Sequence, residues 1–92
     1  MRRSFVERSL RDVHTRLVKA RHELAIVEEQ LLVFNDAADD SRIRSLVSET
    51  PQATHEHLDA QRHADAATRA RAALVATIAD LERRRDELLA KL

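Results

Sequence analysis

Leucine recurs every seven residues in the first third of the chain, at Leu10, Leu17, Leu24 and Leu31. Val6, Val13, Ala20, Val27 and Phe34 fill the companion position of the same repeat. Seven residues nearly complete two helical turns, so both sets project from one side of a helix and form the seam of a coiled coil. Four heptads of this kind predict a helix over residues 4–34.

The same pattern returns after Pro51. Ala53, Ala60, Ala67, Leu74, Leu81 and Leu88 stand at one seam position, and His57, Ala64, Arg71, Ile78, Arg85 and Leu92 at the other. A second helix is therefore expected over residues 51–92. Thr50 is placed to cap it, with Pro51 at the first helical position, where a missing N–H costs nothing. Its seam is alanine-rich near the connection and leucine-rich further on. Arg71 and Arg85 interrupt it, and their aliphatic stems can lie along the seam while the guanidinium reaches water.

Residues 35–49 carry no comparable apolar repeat and read as a connection. It is too long for a tight helix–helix turn. Asp39, Asp40 or Ser41 could cap a short helix in it, with Ile43, Leu46 and Val47 on the apolar side. That helix is expected to cover Leu31, Phe34, Ala53 and Leu58 at the end of the molecule. The whole predicts one all-α domain over residues 1–92: an antiparallel two-helix coiled-coil hairpin with a short connecting helix, dimerising into a four-helix bundle. Folding back at the connection would set Leu31 near His57 and Ala60, Leu17 near Arg71 and Leu74, and Leu10 near Ile78 and Leu81.

Composition supports helix and narrows function. The 92 residues include no Gly, one Pro and fifteen Ala, and helix interiors favour that balance. Charged residues reach 35%, a high share for a globular core but ordinary for a coiled coil. Sixteen basic and sixteen acidic residues cancel, which argues against a nucleic-acid partner, since phosphate binding favours a basic excess. No Cys is present to form disulfides or thiolate metal sites. No long apolar run suggests a membrane span or signal peptide, so a cytoplasmic location away from membranes is expected. Fourteen of the basic residues are Arg, and with the Ala content this matches the codon bias of a high-GC bacterium. In length, pattern and composition the chain resembles the small uncharacterised coiled-coil hairpin proteins of high-GC bacteria. That resemblance implies a helical hairpin and carries no particular activity.

Four features invite a functional reading. Val18, Ala25 and Leu32 form a second apolar stripe at heptad spacing, joined by Ile26 and Val33, with Val75 and Leu89 on the second helix. Two facing helices need only a narrow seam, so a wider stripe suits a docking face for a second copy or a partner helix. Cover by the short connecting helix is the plainer explanation, but the stripe spans more length than one short helix can cover, which favours the docking face.

The connection is acidic at Asp36, Asp39 and Asp40. A long antiparallel hairpin with an acidic tip is similar in outline to the secondary-channel regulators of bacterial RNA polymerase. The likeness covers architecture and that one cluster, so it carries over no functional residue, and capping explains Asp39 and Asp40 equally simply. His55, Asp59 and His63 share a helical face at metal-ligand spacing, but ordinary surface histidines are the commoner outcome and no metal is expected. Arg2, Arg3 and Arg8 are expected near Arg83, Arg84 and Arg85. Interleaved acids and the lack of stacking aromatics speak for helix-end electrostatics over nucleic acid.

No nucleophile–base pair, glycine-rich loop or polar pocket is evident, so neither catalysis nor a cofactor is expected. The sequence leads to a non-enzymatic protein–protein interaction module, an adaptor or assembly factor that self-associates as a homodimer and has a protein partner it does not identify. A polymerase-binding regulator using the acidic tip is the alternative.

Overall fold

The computed structural model describes residues 2–92. They form two helices, α1 over Arg2–Ser48 and α2 over Pro51–Leu89, with no strand among the described residues. The fold is an all-α helical hairpin. Both seams read from the sequence are real. Along α1 every seam position from Val6 to Phe34 is buried or half-buried, and along α2 the same holds from Ala53 to Leu88 except at Arg71.

The separate connecting helix does not exist. Residues 35–48 continue α1, whose 47 residues run unbroken. Neither Gly nor Pro stands in this stretch to stop a helix, and Ala37 and Ala38 favour one. The seam itself continues through it. Ala38 and Ser41 follow Leu31 and Phe34 at seven-residue steps and are buried, and Ser45 follows at half-burial. Alanine and serine here do what leucine and valine do earlier, so the apolar repeat fades while the helix persists. Asp39 and Asp40 accordingly lie within a helix and cap nothing. Leu58 has no covering helix above it and is 49% exposed.

Reversal takes two residues. Glu49 adopts a left-handed backbone with φ of 50°, and its N–H donates to the Ser45 carbonyl at 3.1 Å. This is the left-handed ending common to helices, here without the usual glycine. Thr50 caps α2 as its sequence position predicts: the Ala53 N–H donates to Thr50 Oγ1 at 3.1 Å, and Pro51 opens the helix.

Moving the turn from the middle of residues 35–49 to Glu49–Thr50 resets the pairing. His57 meets Ser41 instead of Leu31, and Arg71 reaches Glu28 instead of the neighbourhood of Leu17. The pairing is displaced along α1 by ten to eleven residues from the expected register, about three helical turns. A slip of whole turns keeps both seams facing each other, so the apolar pattern alone is nearly blind to it; the turn decides.

The contacts divide the molecule into two compact units. One joins the chain up to Ala25 with Ala72–Leu92. Its core is Val6, Val13, Leu17 and Leu88, with Leu10, Ile78 and Leu81 packed against it. Leu17 and Leu88 are the largest side chains to be fully enclosed. Arg21 bridges to Glu82 across the helices at 3.6 Å.

The other unit is Ile26–Arg71, which includes the turn. Its buried residues are all small: Ala38, Ser41, Ala53, Ala64 and Ala67. The Ser41 hydroxyl donates to the Ala38 carbonyl at 2.9 Å and lies 3.3 Å from His57 Nδ1, so the one buried polar side chain is satisfied on both sides. The Phe34 and His63 rings stack with centroids 5.5 Å apart. Arg71 is exposed at its seam position and its guanidinium meets Glu28 at 3.4 Å.

Candidate docking surface

With the seam positions named a and d, Leu10, Leu17, Leu24 and Leu31 are a residues, and positions b, c and f point away from the seam. Val18, Ala25 and Leu32 all fall at b, and Ile26 and Val33 at c. The proposed stripe is therefore the outer side of α1, the side that α2 does not touch. All five residues are exposed, Leu32 at 69% and Val18 at 53%. The stripe also extends past the expected limit. Leu46 at b, Val47 at c and Ile43 at f continue it, with Val47 79% exposed. Sequence reasoning assigned these three to the inner side of a short helix. Leu46 and Val47 stand fourteen residues after Leu32 and Val33, and that spacing is the signal that joins them to the stripe.

Val75 is less well placed. It follows Leu74 directly on α2 and flanks the seam, where it is 43% exposed. The structure brings Val18, Ala25 and Leu32 onto one helical face and leaves Val75 on the other helix, outside that column.

Asp36, Asp39 and Asp40 are on the same outer side of α1, at f, b and c. They do not form a tip. Asp40 precedes Glu49 by nine residues, about 14 Å along a helix at about 1.5 Å per residue. They are a band within an otherwise apolar face, between Leu32 and Val33 on one side and Ile43, Leu46 and Val47 on the other. A shallow groove beside this face is lined by Ile26, Glu29, Gln30, Val33 and Phe34.

The first half of α1 carries the opposite charge on the corresponding side. Arg8, Arg11 and Lys19 stand at f, b and c, with Phe5 and Val18 among them. Phe5, Arg8, Asp12, Arg16 and Arg84 line one groove of that unit, and Arg2 shares a second with Leu88 and Lys91. The expected proximity of the two basic ends is thus seen for Arg8 with Arg84. Arg83, Arg84 and Arg85 are tied to Asp80, Glu87 and the pair Glu82–Asp86 respectively.

Several other helix-surface charges are paired in this way. Asp12 holds Arg16 at 3.2 Å and Glu7 holds Arg3 at 3.3 Å. Among the described residues, half of the acidic and basic side chains make no ion pair, and Arg8, Arg11, Lys19, Glu29, Asp36, Asp39 and Asp40 are the ones of that half on the outer side of α1. Asp36–Asp40 is a like-charge pair at four-residue spacing, an arrangement that weakens an isolated helix by a few tenths of a kcal/mol.

The histidine face has local partners instead of a shared centre. His55 lies 3.3 Å from Asp59, Asp59 also accepts from Arg62 at 2.8 Å, and His63 stacks on Phe34. No three potential metal ligands converge among the described residues. No helix among them is long and apolar enough to cross a membrane. Comparison with family models, with curated proteins and with solved structures finds no match to this chain.

Proposed function

We propose that this protein is a non-enzymatic protein–protein interaction module that works as a homodimer, as adaptor or assembly factor, through the outer face of α1. The observation that carries this reading is the apolar stripe from Val18 to Val47 on the side of α1 that α2 leaves bare. Covering such a stripe removes apolar surface from water, which is the main driving force of association. The chain also exposes 6944 Å², against about 5400 Å² for a typical folded monomer of its 10.5 kDa mass. A second copy is the simplest cover, since a two-fold contact needs one patch only.

Light scattering over a dilution series tests the reading. The chain should have twice the monomer mass at high concentration, and Val18→Glu or Leu32→Glu should return it to monomer without loss of helicity. A wild-type chain that is monomeric at every concentration defeats it.

A further inference from the structure

We infer that the second copy docks antiparallel, with the basic first half of one α1 on the acidic second half of the other. This rests on the self-association proposed above and names the surface and its register. Each half is a charged band framed by apolar residues. Phe5 and Val18 frame Arg8 and Arg11, while Val33 and Ile43 frame Asp36, Asp39 and Asp40, all of them exposed.

One antiparallel register satisfies both halves together. Setting Arg8 against Asp39 places Arg11 against Asp36, Lys19 against Glu29 and Phe5 against Ile43. These six charged residues are ones that make no ion pair within the chain, whereas their neighbours Asp12 and Arg16 hold each other. Asp12 is the acid that faces the wrong sign in this register, and Arg16 already neutralises it. The parallel alternative puts Asp36, Asp39 and Asp40 of two copies together, and like charges at close range oppose association. Charge therefore sets the direction, and the contact of Phe5 with Ile43, made twice, adds apolar cover. Because α1 is one uninterrupted helix and carries both bands, a two-fold pair makes the contact twice.

The test is a charge swap read by light scattering. One variant carries Asp36→Lys, Asp39→Lys and Asp40→Lys; the other carries Arg8→Glu, Arg11→Glu and Lys19→Glu. Each alone should be monomeric and fully helical by circular dichroism, because both contacts become repulsive. Mixed in equal amounts they should restore a species of dimer mass, because every basic band again meets an acidic one. In the wild type, raising salt from about 0.1 M to about 1 M shortens the screening length from about 10 Å to about 3 Å. The dimer should weaken about tenfold, or about 1.4 kcal/mol, over that range. A dimer that survives both reversals, fails to reappear on mixing, or ignores salt overturns the antiparallel pairing. If that dimer is still abolished by Val18→Glu, self-association through the outer face stands and only its register falls. A monomeric wild type overturns both.

Discussion

The two units of this hairpin distribute their apolar side chains in opposite ways. In the unit that joins the chain up to Ala25 with Ala72–Leu92, large residues go inside: Leu17 and Leu88 are enclosed, with Val6 and Val13 around them. In Ile26–Arg71 the enclosed residues are alanines and one serine, while Ile26, Leu32, Val33, Ile43, Leu46 and Val47 face outward. Among the described residues, seven of the twelve exposed large apolar side chains fall in that unit, which has half the chain. Burial of large side chains stabilises the first unit directly. The second gains less from its own seam and holds its apolar surface where only another molecule can cover it. The same heptad thus encloses its large side chains in one place and leaves them exposed in the other.

The largest effect that can break this comparison is in the leucine-rich unit. Leu17→Ala should lower the free energy of unfolding by about 2–5 kcal/mol, because it removes a fully packed side chain and leaves a cavity. Urea denaturation at fixed protein concentration measures it, since the stability of a chain that self-associates would depend on concentration. A loss below about 1 kcal/mol would mean that Leu17 is not the packed centre seen here.

In the alanine-lined unit the informative change runs the other way. Ala64 is 2% exposed, and facing helices leave no room for a larger side chain there. Ala64→Leu should destabilise by about 1–3 kcal/mol through overpacking. The same substitution at an open seam would stabilise, so the sign of the shift in the denaturation midpoint separates a tight alanine seam from a loose one.

These two expectations also show how much of the molecule was legible beforehand. Wherever leucine, valine or alanine marked the heptad, the seam could be read residue by residue, from Val6 to Phe34 and from Ala53 to Leu88. At Ser41 and Ser45 the marking failed. Serine reads as polar, yet its small hydroxyl fits a close helix contact when it can bond a carbonyl one turn back, as Ser41 does with Ala38. Losing those two positions makes the last third of α1 read as a connection with a short separate helix, displaces the turn, shifts the register and sends Asp36, Asp39 and Asp40 to a tip they do not occupy. The outer stripe suffered less. Val18, Ala25 and Leu32 were placed correctly because they lie where the helix was recognised. Ile43, Leu46 and Val47 were assigned to cover because their helix was not.

A smaller effect isolates the turn. Thr50→Ala removes the acceptor for the Ala53 N–H and should cost about 1 kcal/mol. Hydrogen exchange should locate the loss at the start of α2, with faster exchange at Ala53 and little change near Leu88. Uniform acceleration along both helices would mean that the cap is coupled to the whole fold and that the alanine-lined unit has no local opening of its own.

The smallest expected change is also the one with favourable sign. Glu49 holds a left-handed backbone with φ of 50°, a conformation that costs a residue bearing a Cβ about 1–2 kcal/mol and that glycine adopts freely. Glycine is more flexible in the unfolded chain, which offsets part of that gain. Glu49→Gly should therefore stabilise by up to about 1 kcal/mol, seen as a higher denaturation midpoint with unchanged slope. The turn fixes which heptad of α2 meets which heptad of α1, so relieving its strain should tighten the native register without creating another. A destabilised Glu49→Gly would place the reversal elsewhere in the chain. The pairing of Ser41 with His57 and of Glu28 with Arg71 would then lose the constraint that selects it over a register one heptad away.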